Sequence, residues 1–404
     1  MIVYEFKVKG KEVQYRAIDE AIRTSQFIQN KCLRYWMENK GLRQYDLNKY
    51  CAVLAAEFPF AEELNSMARQ SAAERTWSAI VRFFDNCKKK VLGKKGFPKF
   101  KKNCRSVEYK TSGWKLSPNR KTITFRDGKS IGTLKLKGTY DLNYYDIKQI
   151  KRVRLVRRAD GYYAQFAIDV KVRIEPNLTG KMVGLDLGLK FFIADNQGNT
   201  EPCPQFYRKS QKQLNTANRK KSKKFKRDAK PQSKNYHKAR NRYARKHLRV
   251  SRQRKEYCKR VAYSVIQSND LVAYEDLNVQ GLVRNRHLAK SISDAGWSTF
   301  RQWLEYFGFK YGKVTIAVPP HNTSQNCSSC GKKVKKSLST RTHVCPHCGF
   351  TEDRDVNAAI NILKLALCTA GHAGTYAWGD LPSWAIGAIL SFNGESANQE
   401  SLSL

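Results

Sequence analysis

Two Cys-x-x-Cys-Gly knuckles, Cys327 to Gly331 and Cys345 to Gly349, run almost directly into Glu352-Asp353-Arg354-Asp355 and then Val356-Asn357-Ala358-Ala359-Ile360-Asn361. The cysteine spacing is C-x2-C-x14-C-x2-C, just short of the usual zinc-ribbon range. Four thiolates close a tetrahedral shell without an open position, so Zn2+ held by Cys327, Cys330, Cys345 and Cys348 is expected to be structural. A glycine at the end of each pair lets the backbone fold tightly around sulfur. The other cysteines (Cys32, Cys51, Cys87, Cys104, Cys203, Cys258 and Cys368) show no ligand spacing and read as free thiols. Residues Met1 to Lys7 alternate like a strand and lack an apolar signal core, which points to a reducing, cytoplasmic setting.

The chain carries 76 Lys+Arg against 34 Asp+Glu, a formal net charge of +42. Self-repulsion on that scale calls for a polyanionic partner, and nucleic acid is the expected one. A hydrophobic content of 41% supports folded cores across 404 residues, enough for two or three domains. No apolar stretch approaches the roughly 18 residues of a spanning helix, so no membrane partner is expected.

Periodicity divides the chain. Residues 1–10 read as a strand, followed by a helical region in which Ile18, Ile22, Ile28, Leu47, Leu54, Ala68, Ala72 and Ile80 recur at helical intervals up to the breaker Gly96-Phe97-Pro98. From about 105 to 172 short alternating runs such as Thr122–Phe125 and Tyr162–Ile168 predict a small antiparallel sheet or barrel, so the helices form an insertion in a β domain. A third region opens with a hairpin, Val183–Gly188 and Phe191–Asp195, and continues with the apolar runs Leu271–Tyr274 and Val314–Val318, separated by helices. This is an α/β pattern. The segment 208–254 is strongly basic with Phe225, Tyr236 and Tyr243 interleaved, and predicts a pair of long helices on a phosphate backbone through Lys220, Lys221, Lys224, Arg240 and Arg242.

Three carboxylates stand where chemistry is usually placed. Asp186 ends an apolar strand between Gly184 and Gly188, which would give a bulky ligand access; Glu275 ends Leu271–Tyr274; and Asp355 opens a helix. Grouped without counter-charge, such acids would acquire raised pKa values, and Mg2+ or Mn2+ would supply that charge. Two such ions about 3.5–4 Å apart suit phosphodiester hydrolysis. Asp353 competes with Asp355, and Asp276 with Glu275; strand alternation allows only one of the latter pair into a common cluster.

Val183-Gly184-Leu185-Asp186-Leu187-Gly188, Ala273-Tyr274-Glu275-Asp276-Leu277 and Asp353-Arg354-Asp355-Val356-Asn357-Ala358-Ala359-Ile360-Asn361-Ile362 closely resemble the three RuvC motifs of TnpB proteins, RNA-guided nucleases of insertion sequences. Gly96-Phe97-Pro98-Lys99-Phe100-Lys101, the segment Leu288 to Trp297, and Thr323-Ser324-Gln325-Asn326-Cys327-Ser328-Ser329-Cys330-Gly331 are also similar to that family. The resemblance implies an α/β multidomain protein: a wedge-type β-barrel at 1–10 and 103–175, a helical recognition insertion at 11–102, and an RNase H-like RuvC nuclease domain at 181–325 and 350–368. The zinc ribbon would be inserted at 326–349, with a mobile lid at 284–297 and a C-terminal tail, 369–404. It implies Asp186, Glu275 and Asp355 as Mg2+ (or Mn2+) ligands and catalytic residues, with Asp355 preferred because the family's third acid precedes the asparagine, here Asn357, by two positions. It further implies a monomeric ribonucleoprotein holding a guide RNA from its own element and cutting double-stranded DNA beside a short motif. Arg69, Gln70, Ser71 and Arg75 are the residues expected to contact the duplex. A guide-independent transposase or resolvase and a non-enzymatic RNA-binding protein are the competing readings.

Overall fold

The computed structural model describes residues 1–89, 94–229, 231–337 and 339–372. They fall into two compact units, Met1–Val172 and the chain from Arg173. Most of the expected tail, from 373 onward, lies outside the described residues.

In the first unit, β1 (Ile2–Lys9) precedes four helices, α1 (Glu12–Glu38), α2 (Gln44–Glu57), α3 (Pro59–Glu62) and α4 (Ser66–Lys88). Six strands follow: β2 (Ser106–Lys110), β3 (Trp114–Leu116), β4 (Thr122–Phe125), β5 (Gly132–Lys137), β6 (Ile150–Arg158) and β7 (Gly161–Ile168). All pairings are antiparallel, in the order β2-β6-β7-β1-β5-β4-β3. The β1 strand lies inside the sheet, so the helices are an insertion, as the sequence pattern requires. The two edge strands, β2 and β3, are joined by one three-residue 3-10 turn, Thr111–Gly113. That short link keeps the two edges close where it joins them, giving a half-barrel-like sheet without a hydrogen-bonded seam between them. Alternation sets the inside: Phe6 and Val8 are buried while Lys7 and Lys9 face outward.

The second unit opens with β8 (Met182–Asp186), β9 (Phe191–Asp195) and β10 (Thr200–Pro202). After these come the basic helices α5 (Phe206–Ser222) and α6 (Lys234–Ser268), then β11 (Leu271–Glu275), α7 (Val279–Leu282), α8 (Ala289–Ala295), α9 (Trp297–Lys310) and β12 (Val314–Val318). A small hairpin, β13 (Thr342–Val344) with β14 (Thr351–Asp353), carries the chain directly into α10 (Arg354–His372). The main sheet runs β10-β9-β8-β11-β12, antiparallel through β8 and parallel beyond it. Every residue of β11 is buried, as expected for a central parallel strand.

Two features of this sheet position the site. First, β11 pairs with β8 so that Tyr274 lies opposite Leu185, which places Glu275 and Asp186 side by side one step further on. Second, α10 packs on β8 at Gly184, where a Cβ would lie 2.1 Å from the Ala359 carbonyl oxygen and 2.9 Å from Leu363. Only glycine lets the helix come this close, and the approach brings Asp355, in the first turn, to the Asp186 end of the strand. The expectation that the glycines flanking Asp186 open a path for ligand is corrected here. Gly184 admits a helix, and Gly188 admits the hairpin backbone, its Cβ position lying 2.8 Å from the Phe191 oxygen.

Candidate functional site

Asp186, Glu275 and Asp355 line one cleft of about 720 Å3, together with Leu277, Trp297 and Arg341. Glu275 is buried, and Asp186 and Asp355 are half-buried. Burial pushes the Asp186 carboxyl up to about 8, with the charges of Glu275 and Asp355 adding to the shift and Arg354 only partly offsetting it. Burial also raises Glu275, although the Thr323 hydroxyl donates to its Oε1 at 2.5 Å and opposes the rise. Asp355 is raised by burial and then by Asp353, against Arg341, whose guanidinium stands 3.6 Å from Oδ2. The neighbouring cations thus fall short of offsetting the burial and mutual repulsion of these carboxylates, and hard oxygen donors in this deficit suit a divalent cation such as Mg2+.

The competing acids are set apart by geometry. Asp276 points to the other face of the strand end and pairs with Arg301, which also holds Glu305 at 2.8 Å. Asp353 caps α10, its Oδ1 accepting from the Asp355 amide at 2.8 Å.

The knuckles bring Cys327, Cys330, Cys345 and Cys348 together, and among the described residues they are the one set of metal-type donors all within 4.8 Å of one another. Cys327 and Cys348 sulfurs are 3.7 Å apart, and Cys330 and Cys345 sulfurs 3.6 Å. A tetrahedron with Zn–S bonds of about 2.3 Å has edges of about 3.8 Å, close to the two sulfur pairs above, so the set suits Zn2+. All four are free thiols, and Gly331 (φ 74°) and Gly349 (φ 72°) take the left-handed conformation that closes each knuckle. The hairpin of this small domain extends to Asp353 through β14, past the expected boundary at 349.

The basic segment folds as the expected helix pair. Lys220, Lys224 and Arg242 line a groove of about 970 Å3 between α5 and α6, joined by Lys212, Lys238 and Lys246. Lys221 turns onto the Tyr243 ring at 4.5 Å, and Arg240 is exposed and does not line the groove. The segment expected to be a lid is helical at α8. Its Asp294 is buried and accepts from the Tyr207 amide at 2.9 Å, capping the start of α5.

Ser71 requires correction. Its side chain is completely buried and donates to Glu108 Oε1 at 2.8 Å, so it cannot meet a duplex. Arg69, Gln70 and Arg75 are half-buried and bonded to Ala61, Lys110 and Ser106 respectively. The polar spacing on α4 reads as a solvent face, but Glu108 and Lys110 on β2 supply polar partners for it. Sequence reasoning also missed Asn357, Asn361 and Lys364, which grip the loop before and within the first knuckle. Their i, i+4, i+7 spacing was the available signal.

The family model OrfB_IS605, "Probable transposase", matches residues 165–286, and the model "Cas12f1-like, TNB domain" matches residues 297–362. A "Putative RNA-guided DNA endonuclease" of Streptomyces pristinaespiralis is 29% identical over 78% of this chain and 75% of that protein. The "TnpB-like protein L79" of Acanthamoeba polyphaga mimivirus is 32% identical over 31% of this chain and 26% of that one. Among solved structures, the Cas12f1 protein of a Cas12f1–sgRNA–target DNA complex aligns with a TM-score of 0.52 at 14% identity, over 87% of this chain and 83% of that one, and so shares the fold. The chain is thus similar to proteins named RNA-guided DNA endonuclease and TnpB-like protein, and it carries matches to the OrfB_IS605 and Cas12f1-like TNB models.

Proposed function

We propose that this chain is the RNA-guided DNA endonuclease of an insertion sequence, cutting double-stranded DNA in one RNase H-like RuvC site. One observation carries the catalytic reading: three carboxylates from β8, β11 and α10 line a single cleft at the C-terminal ends of parallel strands, and nearby cations offset their burial only in part. The names of its relatives, RNA-guided DNA endonucleases among them, support the guide RNA and the DNA target.

In this reading Asp186, Glu275 and Asp355 hold Mg2+ or Mn2+, and when bound the metal supplies an activated water and stabilises the leaving oxygen, as a pair of ions in the two-metal scheme. The chain's own residues do the rest. Thr323 fixes one oxygen of Glu275. The start of α10 favours negative charge at Asp355. The groove between α5 and α6 holds a phosphate backbone by charge, independent of base identity, as suits a protein that delegates sequence choice to pairing. Zn2+ on the four cysteines shapes the loop beside the cleft. The half-barrel-like sheet and its helical insertion are read as the wedge and recognition parts, with Arg69, Gln70 and Arg75 as the candidate contacts that remain. The assembly is read as a cytoplasmic monomeric ribonucleoprotein, and the partner motif lies beside the target.

The test is cleavage of a matched duplex by the purified chain with and without guide RNA and Mg2+. Cleavage should need both, and Asp186→Ala should abolish it while RNA binding survives. Cutting without guide would favour the transposase reading, and undiminished cutting by D186A would overturn the site.

A further inference from the structure

The two centres share more than sequence proximity. Thr323 is 4% exposed, and its hydroxyl is the donor that meets Glu275 Oε1. Its own carbonyl accepts from Asn361 Nδ2 at 2.8 Å, and the same amide reaches the Asn326 carbonyl at 2.8 Å. Asn357, fully buried, donates to Asn326 O at 2.9 Å and accepts from the Ser328 amide at 2.9 Å. Lys364 donates to Ser328 O at 2.6 Å. Cys327, the first thiol ligand, lies between Asn326 and Ser328. One face of α10, the helix that begins with the Asp355 turn, thus grips the whole span from the Glu275 partner to the first knuckle with five hydrogen bonds.

We propose that Thr323 is a positioning residue for Glu275, and that Asn357 and Asn361 set Thr323 against the first cysteine knuckle, so that the thiol site and the carboxylate site form one framework. The inference deepens the reading above and rests on it. A glutamate has three rotatable bonds, and a single donor on Oε1 fixes its head while leaving Oε2 free for a cation. The donor is held from behind by an amide that also holds the knuckle loop. A rigid supporting shell of this kind is what a charged cleft needs to keep its ligands aimed before metal arrives.

The test compares Thr323→Val and Thr323→Ser with the wild type in the full chain bound to its guide. Binding of Mn2+ is read by electron paramagnetic resonance, as the part lost in D186A, beside single-turnover DNA cleavage. T323V should weaken both about tenfold or more, with cleavage recovering as Mn2+ is raised, because ligand orientation is what was lost. T323S, which keeps the hydroxyl, should stay within about threefold of wild type. Zinc content should be unchanged in both variants. Equal behaviour of T323V and wild type, or equal losses in T323V and T323S, overturns the positioning role while leaving the nuclease reading intact. A wild type that neither cleaves nor shows D186A-sensitive Mn2+ binding overturns that reading, and this inference with it.

Discussion

The two ends of the five-stranded sheet treat enclosed carboxylates in opposite ways. At the N-terminal end of the parallel strands, Asp270 is buried and fully partnered: Lys313 pairs with it, the Thr179 amide donates at 2.9 Å, and the Gly180 amide donates at 2.6 Å. Burial alone would raise its pKa, but the Lys313 and backbone bonds outweigh that and hold it below the ordinary value. At the C-terminal end, Asp186, Glu275 and Asp355 are all raised, with Arg341, Arg354 and Lys190 giving only partial relief. Glu108 in the first unit follows the Asp270 pattern: burial is outweighed by Arg154, Arg152 and Ser71, and its pKa is lowered. A structural carboxylate is thus one whose desolvation is answered inside the chain. The cleft acids are answered only in part within the chain, which supports the proposed reading of them as cation ligands.

That contrast can be broken most severely at catalysis. Glu275→Ala should reduce guide-dependent cleavage by about a thousandfold or more, in line with loss of a primary catalytic group, while Asp276→Asn, one residue away but facing Arg301, should change single-turnover rates little. Comparable losses in the two would dissolve the face assignment.

Stability should respond in the reverse sense. Asp270→Ala leaves Lys313 buried without its partner and should cost about 3–5 kcal/mol in chemical denaturation. Asp186→Asn in metal-free protein removes a carboxyl that the fold must hold protonated at neutral pH and should be neutral or stabilising. The pH dependence has opposite signs at the two ends. Asp270, with its folded pKa depressed, contributes stability above its unfolded value near 3.9, lost as pH falls through the folded value. Asp186, raised to about 8, contributes stability below about 3.9 that is lost as metal-free protein is taken up through about pH 8. Asp186→Asn should flatten that alkaline limb in thermal unfolding scans.

A smaller effect, of about 1–3 kcal/mol, is expected from Gly184→Ala, whose added methyl meets the α10 backbone and must push the helix away. Because α10 carries Asp355, the same variant should lose more cleavage than its stability loss explains. Full activity in G184A would show that this close approach does not position the third acid.

Much of this arrangement was legible in the sequence because it is local. The apolar runs in Met182–Asp186 and Leu271–Glu275 give the strands, the parity of Glu275 and Asp276 separates their faces, and the cysteine spacing gives the knuckles. What was not legible depends on partners far along the chain. Ser71 reads as a helix surface residue until Glu108, 37 residues on, is placed against it. Gly184 reads as an opening for ligand until α10, some 175 residues later, fills the space. Asn361 shares a helix face with Asn357 and Lys364, but nothing local names its partner, Thr323, 38 residues earlier.

The most direct test of the central claim is calorimetric titration of Mn2+ into the zinc-loaded chain at pH 7, with Asp186→Asn, Glu275→Gln and Asp276→Asn beside it. The wild type should bind Mn2+ with release of protons, since Asp186, raised to about 8, is largely protonated without metal. Binding should weaken at least tenfold in D186N and E275Q, remain in D276N, and tighten in wild type as pH rises toward 8. Undiminished binding in D186N and E275Q, or binding without proton release, would contradict the assignment of the cleft acids as a partly answered cluster that a divalent cation completes.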